Sequence, residues 1–138
     1  MNWFFSSISS MIFFFFMLLI FKKVGSLGIK ESTILLYVFS IGALFYLIYS
    51  FVSNNPIKVN WQILGLLFIA AIFSCLGNIF HVKALISAPN PGYADAVSST
   101  RVLLLTIAAI FLFHSEKLTL MKVFGIIFTV AGLILLGV

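Results

Sequence analysis

The sequence carries very little charge. Only 8% of its 138 residues are Asp, Glu, Lys or Arg, and just three of them are acidic, whereas a typical soluble domain contains about 25% charged residues. Hydrophobic residues make up 63% of the chain, and its mean hydropathy is +1.27. Because water cannot solvate such a surface, we expect an integral membrane protein rather than a soluble one.

Cysteine, histidine and acidic residues are also scarce. The single cysteine, Cys75, lies inside an apolar run, so we expect it to pack as a small hydrophobic residue rather than to join a disulfide framework. The sequence has no His, Cys or carboxylate cluster at metal-ligand spacing, no glycine-rich phosphate loop and no nucleophile elbow. We therefore predict that the protein is not an enzyme and binds no metal ion or cofactor.

The basic residues are few and scattered. They give a formal net charge of +5 and a pI near 9.6, but they form no dense basic face, so we predict no nucleic-acid partner. Most lie near the ends of apolar runs, where basic side chains anchor a protein at the membrane interface and contact membrane lipid. The eight basic residues are Lys22, Lys23, Lys30, Lys58, Lys83, Arg101, Lys117 and Lys122.

Five apolar segments are long enough to cross a membrane. A bilayer core about 30 Å thick requires about 20 helical residues at about 1.5 Å of rise each. The segments are continuously apolar and lack the period-two alternation of barrel strands. The predicted fold class is therefore an all-α membrane protein, a bundle of five transmembrane helices in one domain over residues 1–138. The spans cover about residues 2–21, 32–52, 61–84, 94–114 and 118–138.

The first segment is predicted to be a retained span and not a secretory signal. Lys22 and Lys23 follow its apolar run instead of preceding it, whereas a signal peptide has its positive charge first and a small-residue cleavage site afterwards. The charges do not decide the orientation. The connections on one side hold three to five basic residues and those on the other hold three, and the positive-inside rule requires a clear excess. The larger count places the N-terminus outside and the C-terminus inside, with insertion both ways up as the alternative.

Polar residues form a stripe on the third segment. Ser74, Asn78 and His81 stand at i, i+4 and i+7, which places them on one face of a helix. Polar atoms in hydrocarbon need partners or water, so this face is expected to point inward. Two interpretations remain open. The stripe lines a cavity, or Ser74 and Asn78 hold helices together while His81 lies at the interface.

Arg101 is the most unusual charge in the sequence. It stands about two turns into the fourth segment, and a charge at a helix centre costs up to about 2.5–3.5 kcal/mol on insertion scales. Three interpretations remain open. The side chain of Arg101 extends to the membrane interface, it pairs with another protein group, or it contacts a substrate. Asp95 opens the same segment after the turn Pro89-Asn90-Pro91-Gly92, and we expect it to cap the first helical turn.

Two further helix faces carry a pattern. Tyr46 and Tyr49 on the second segment are spaced to line a cavity by ring contact, or to form part of an aromatic belt at the interface. Gly125, Thr129 and Gly132 on the fifth segment fall at i, i+4 and i+7. They make one face of small residues on which another helix can approach closely. This face is predicted to pack helices, between subunits in particular.

The last two segments resemble a known family. The run "SSTRVLLLTIAAIFLFHSEKLTLMKVFGIIFTVAGLILLGV", residues 98–138, resembles the end of one repeat of the EamA-type drug/metabolite transporter superfamily. The likeness rests on the turn Glu116-Lys117-Leu118-Thr119 and on Gly125 and Gly132 in the helix after it. "HVKALISAPNPGYADAV" stands where that family has its third span, a short turn and the entry to the fourth. The chain is similar to a short five-span, single-repeat member.

The resemblance implies a function. It suggests an exporter or exchanger of a small-molecule metabolite. The enrichment of the chain in Phe, Ile and Lys indicates a prokaryotic source, so the expected location is the prokaryotic cytoplasmic (inner) membrane. Such proteins form a cavity between two repeats of opposite orientation, so the resemblance implies an antiparallel homodimer, or a heterodimer with a second five-span chain. The residues expected to line the cavity are Ser74, Asn78, His81, Arg101 and Tyr46.

Two other functions are kept as alternatives. In the first, the protein is a flippase subunit for a lipid-linked headgroup, and Arg101 binds the phosphate of that headgroup. In the second, it is an accessory subunit that packs against a partner and transports nothing. The related small four-span exporters use a glutamate in their first helix. The first segment here contains no acidic residue, so proton-coupled cation exchange by that residue cannot be transferred.

Overall fold

The part of the chain that the structure describes is built from helices. A computed structural model describes residues 3–54, 58–113 and 119–137. The described ranges contain no strand, so the predicted all-α membrane class is confirmed. The helices are α1 Trp3–Ser26, α2 Glu31–Val52, α3 Trp61–Ser87, α4 Pro91–Ser98, α5 Arg101–Phe113 and α6 Leu120–Gly137.

Three of these helices can cross a membrane. Among the described residues, Phe4–Ser26, Glu31–Val52 and Trp61–Ser87 are long and apolar enough, with lengths of 23, 22 and 27 residues. They correspond to the first three predicted spans, and α1 and α3 continue a few residues beyond the predicted ends. A shorter apolar stretch, Val123–Gly132, lies in α6. That the last two segments also span the membrane, for a total of five spans, therefore stays a prediction.

The residues of the predicted fourth span are divided between two helices. A turn at Ser99 and Thr100 separates α4 from α5. The hydroxyl and the backbone N–H of Thr100 both donate to the carbonyl of Val97, and the N–H of Val102 reaches back only three residues, to Ser99. Short polar side chains offer the backbone such alternatives to helical bonding. His114, the last residue of the predicted span, lies outside the described residues.

Asparagine residues start two of the helices. The side-chain oxygen of Asn60 accepts a hydrogen bond from the N–H of Ile63 at 2.8 Å, and it caps α3. Asn90 does the same for α4, where its side-chain oxygen accepts from the N–H of Gly92 at 2.9 Å and Pro91 takes the first helical position. Asparagine is a preferred N-cap, and proline loses nothing there because the first N–H groups of a helix have no helical partner.

The chain forms two compact units, Met1–Ser87 and Ala88–Val138. The core of the first unit consists of Phe21 from α1, Ile34 and Leu35 from α2, and Val82 from α3. These residues lie near the C-termini of α1 and α3 and the N-terminus of α2, and we call this region the core end. In the second unit, α4 packs against α6.

The α1–α2 turn closes the core end. The N–H of Gly28 donates to the carbonyl of Gly25, and Gly28 has a φ of 85°. A positive φ at the end of a helix favours glycine, because the other residue types carry a Cβ that is strained there. Gly28 therefore ends α1 and turns the chain back into α2.

Away from the core end, the three helices are exposed around their circumference. Every residue from 61 to 77 in α3 is exposed, and large apolar side chains cover the outer parts of α1 and α2 as well. Soluble monomers do not present apolar surface on this scale. Lipid or further helices must cover these faces. Cys75 is a free cysteine on this exposed surface of α3, so it lies outside the core of the first unit, and its packing against lipid or another helix stays a prediction.

Candidate functional site

The polar stripe on α3 is held together by hydrogen bonds. The side-chain nitrogen of Asn78 donates to the carbonyl oxygen of Ser74 at 2.8 Å and lies 3.3 Å from the hydroxyl oxygen of the same residue. The predicted i, i+4 relationship between these two residues therefore produces a direct contact. The bond to the carbonyl also ties the side chain of Asn78 to the backbone of the preceding helical turn.

The contact with Ser74 determines which way the amide of Asn78 points. A backbone carbonyl only accepts hydrogen bonds, so the nitrogen of the amide must face Ser74, and the oxygen faces away from it. No described residue donates to this oxygen. Asn78 is half-buried and Ser74 is exposed, so the stripe presents a hydrogen-bond acceptor and a hydroxyl to whatever lies beside α3.

The depth of the stripe follows from its place in the helix. Ser74 is the central residue of the 27-residue α3, and Asn78 lies about 6 Å from it along the axis at about 1.5 Å per residue. A hydrocarbon core about 30 Å thick, centred on α3, would contain both residues. The polar atoms of Asn78 are therefore placed where water is scarce.

His81 continues the stripe toward the core end. It is half-buried, and the next residue, Val82, is fully buried in the core. His81 thus lies between the exposed N-terminal part of α3 and the part that is packed in the core.

Tyr46 is placed at a similar depth on α2 but not against the stripe. It is 76% exposed. Along their helices, Tyr46 and Ser74 both lie eleven residues from core-end residues, Leu35 and Leu85, a distance of about 17 Å. The two residues therefore lie at a similar distance from the core end along their helices, and the role of Tyr46 stays a prediction.

Arg101 and Asp95 occupy different positions from those expected. Arg101 is exposed and is the first residue of α5, directly after the turn at Ser99 and Thr100, so it does not stand two turns inside a continuous helix. Asp95 is the fifth residue of α4, outside its first turn. The capping role assigned to Asp95 was wrong, because the side chain of Asn90 fills that role.

The two glycines of the small-residue face of α6 have open space beside them. A Cβ built on Gly125 or Gly132 would have nothing within 4 Å. The hydroxyl of Thr129 donates to the carbonyl of Gly125 at 2.8 Å, which satisfies the hydroxyl inside its own helix. The face is smooth, and its proposed packing partner stays a prediction.

The sequence pattern missed a contact between α1 and α3. The ammonium of Lys22 donates to the carbonyl oxygen of Ile86 at 2.7 Å, and Gly25 is buried against the side chain of Ile86. Ile86 is 64 residues from Lys22 along the chain, so no local pattern connects them. The cap at Asn60 could have been found, because asparagine directly before an apolar run is a start signal for a helix.

The comparisons with known proteins agree with the fold. Residues 1–138, the whole of the chain, match the EamA-like transporter family. No curated protein and no solved structure matches. A family match over the full chain, together with three apolar helices that can span a bilayer, identifies the protein as a multi-pass integral membrane protein with a drug/metabolite-type transporter domain, and it belongs to the EamA-like transporter family.

Proposed function

We propose that the protein exports or exchanges a small polar metabolite and that Ser74, Asn78 and His81 line its path. The observation that supports this proposal is the side-chain oxygen of Asn78, an acceptor without a described donor near the middle of α3. The nitrogen of this amide is bonded to Ser74, but an amide oxygen that faces hydrocarbon without a hydrogen bond is unfavourable. A polar neighbour on this side of α3 would satisfy the oxygen, and a transported solute with water around it supplies one.

The charges of the first three helices favour a neutral solute. α1 and α3 contain no acidic residue, and the only one in α2 is Glu31 in its first turn. A site for an organic cation normally includes a carboxylate that compensates the charge. The stripe offers a hydroxyl, an amide oxygen and an imidazole instead, which suit hydroxyl and amide groups of a solute.

The path is completed by a second repeat. In our proposal, two five-span chains of opposite orientation pair. The exposed face of α3 and the small-residue face of α6 each contact helices of the partner chain. The small-residue face of α6 supports this pairing, since nothing lies within 4 Å of a Cβ at Gly125 or Gly132. The partner is a second copy of this chain or another five-span chain.

Solute flux in proteoliposomes tests the transport proposal. Vesicles containing the purified protein are loaded with a mixture of sugars, polyols, amino acids and nucleosides, and the released compounds are quantified by mass spectrometry. Asn78→Leu keeps the size of the side chain and removes its polar atoms, so we expect at least a tenfold loss of flux. Gln62→Leu is the matched control, because it removes an amide from the exposed start of α3 and should leave flux unchanged.

The same vesicles separate the alternatives. An accessory subunit would release no solute, and a flippase would move a lipid-linked headgroup but none of the soluble compounds. If Asn78→Leu transports as well as the unaltered protein, the α3 stripe does not line the path. Export of tetraphenylphosphonium in preference to the neutral solutes would contradict the proposed substrate chemistry.

Chemical crosslinking tests the pairing. Gly132→Ile adds a side chain to the small-residue face and should lower the crosslinked dimer fraction at least threefold without reducing membrane insertion. Ile127→Phe adds volume about 200° around α6 from Gly125 and should leave the dimer intact. Equal losses in both variants would remove the small-residue face from the proposed interface.

A further inference from the structure

The packing of the first unit gathers lysines at one end. The core at the core end brings together the last turns of α1, the start of α2 and the end of α3. Four lysines lie in these elements or in the α1–α2 turn, and Glu31 is the one acidic residue among them. At the opposite end of α1 to α3, the described residues contain one lysine, Lys58. The four lysines of the core end are Lys22, Lys23, Lys30 and Lys83.

The four lysines differ in their surroundings. Lys22 is half-buried and holds the C-terminus of α3 through the carbonyl of Ile86. The other three, Lys23, Lys30 and Lys83, are exposed, and no described carboxylate forms an ion pair with them. Their positive charges therefore face the surroundings of the protein. Lys23 lies in α1, Lys30 directly precedes α2 and Lys83 lies in α3, so all three are at the core end.

The α1–α2 turn adds exposed apolar side chains between two of these lysines. Leu27 is 69% exposed and Ile29 is 42% exposed, and they stand between Lys23 and Lys30 on either side of Gly28. Apolar side chains in an exposed turn are favourable at the membrane interface, because they enter the boundary between headgroups and acyl chains and leave water. The ammonium groups of neighbouring lysines can remain at the level of the lipid phosphates.

We propose that the α1–α2 turn and the end of α3 form a binding surface for anionic phospholipid headgroups. Lys23, Lys30 and Lys83 contact the lipid phosphates, and Leu27 and Ile29 enter the acyl-chain region beneath them. Charge complementarity identifies the ligand, because the exposed charged side chains of this surface are overwhelmingly positive. Each lysine near an anionic bilayer contributes about a fivefold preference over a neutral one.

Fluorescence quenching by brominated lipids tests the surface directly. Leu27→Trp places a reporter in the turn, in a background where Trp3→Phe and Trp61→Phe remove the native tryptophans at the far ends of α1 and α3. The protein is reconstituted with either brominated phosphatidylglycerol or brominated phosphatidylcholine at the same mole fraction. We expect the reporter to be quenched by both lipids and at least fivefold more effectively by phosphatidylglycerol, with a smaller difference at high salt.

Substitution of the lysines assigns the preference to this surface. Lys23→Gln, Lys30→Gln and Lys83→Gln together should bring the two lipids close to equal quenching, and arginine at the same three positions should retain the preference. Lys58→Gln is the matched control at the opposite end and should change nothing. The proposal is overturned by a reporter that bromine does not quench, by equal quenching in the unaltered surface, or by a preference that persists in the triple glutamine variant. An equal loss in Lys58→Gln would also overturn it.

Discussion

Gly25 of α1 and Ile86 of α3 approach each other so closely that no side chain fits between them. A Cβ built on Gly25 would lie 2.3 Å from Cγ1 of Ile86 and 2.7 Å from its Cδ1. Isoleucine is branched at Cβ and stiff in a helix, so it cannot rotate away cheaply. The absence of a side chain at Gly25 therefore allows α1 and α3 to meet at the core end.

Gly25→Ala is expected to destabilise the first unit. Overpacking costs about 1–3 kcal/mol, against a gain in helix propensity of at most about 1 kcal/mol, so the melting temperature in detergent should fall. Gly65→Ala is the control, because a Cβ there meets nothing within 4 Å, and it should melt at the same temperature or higher. Ile86→Ala combined with Gly25→Ala should recover part of the loss, and a double variant that is no better than Gly25→Ala would place the strain elsewhere.

Lys22 stabilises the same junction through its charge. Its ammonium binds a carbonyl in the last turn of α3, where carbonyls have no helical partner and the helix dipole is negative. Lys22→Met keeps the length of the side chain and removes this bond, for an expected loss of about 1.5–3 kcal/mol, the range of hydrogen bonds to charged groups. Thermal unfolding in detergent measures the loss. Lys22→Arg should retain most of the stability, and the exposed neighbour Lys23→Met should change little; equal losses at both positions would show that the bond to Ile86 is not the cause.

The sequence predicts the long helices better than their contacts. The first three spans follow from continuous apolar runs, and the start of α3 follows from Asn60. The contact of Asn78 with Ser74 also follows from sequence, since residues four apart in a helix are neighbours. These features depend on residues that are close along the chain. Local patterns are sufficient for them.

The remaining features depend on contacts over long distances or on small energy differences. Gly25 and Ile86 are brought together only by the packing of α1 on α3, and no local sequence pattern near either residue indicates this contact. The break at Ser99 and Thr100 has a different cause. Serine and threonine occur within helices as well as at their ends, so the choice between one helix and two rests on alternative hydrogen bonds of similar energy. That choice moves Arg101 from the inside of a helix to its first position.

The N-terminus of α4 should depend on Asn90 and not on Asp95. Asn90→Ala removes the acceptor for the N–H of Gly92 and should destabilise the first turn by about 1 kcal/mol, the usual value of an N-cap. Amide hydrogen exchange at Gly92 should then be about fivefold faster. Asn90→Ser keeps a capping oxygen and should exchange nearly as slowly as the unaltered protein. Faster exchange at Gly92 in Asp95→Ala, with none in Asn90→Ala, would return the capping role to Asp95.

The distribution of lysines in the first unit predicts its orientation in the membrane. Across the whole chain the basic residues are almost balanced, but the core end carries four lysines and the opposite end of α1 to α3 carries Lys58 alone within the described residues. Since the positive-inside rule counts Lys and Arg and gives little weight to acids, we expect the core end in the cytoplasm and the start of α1 outside. In a Cys75→Ser background, Ser53→Cys at the end of α2 should react with an impermeant maleimide in intact cells, whereas Ser26→Cys at the end of α1 should react only after permeabilisation. Labelling of both positions in intact cells, each to about half its full extent, would show insertion both ways up, and the reverse pattern would place the lysines outside.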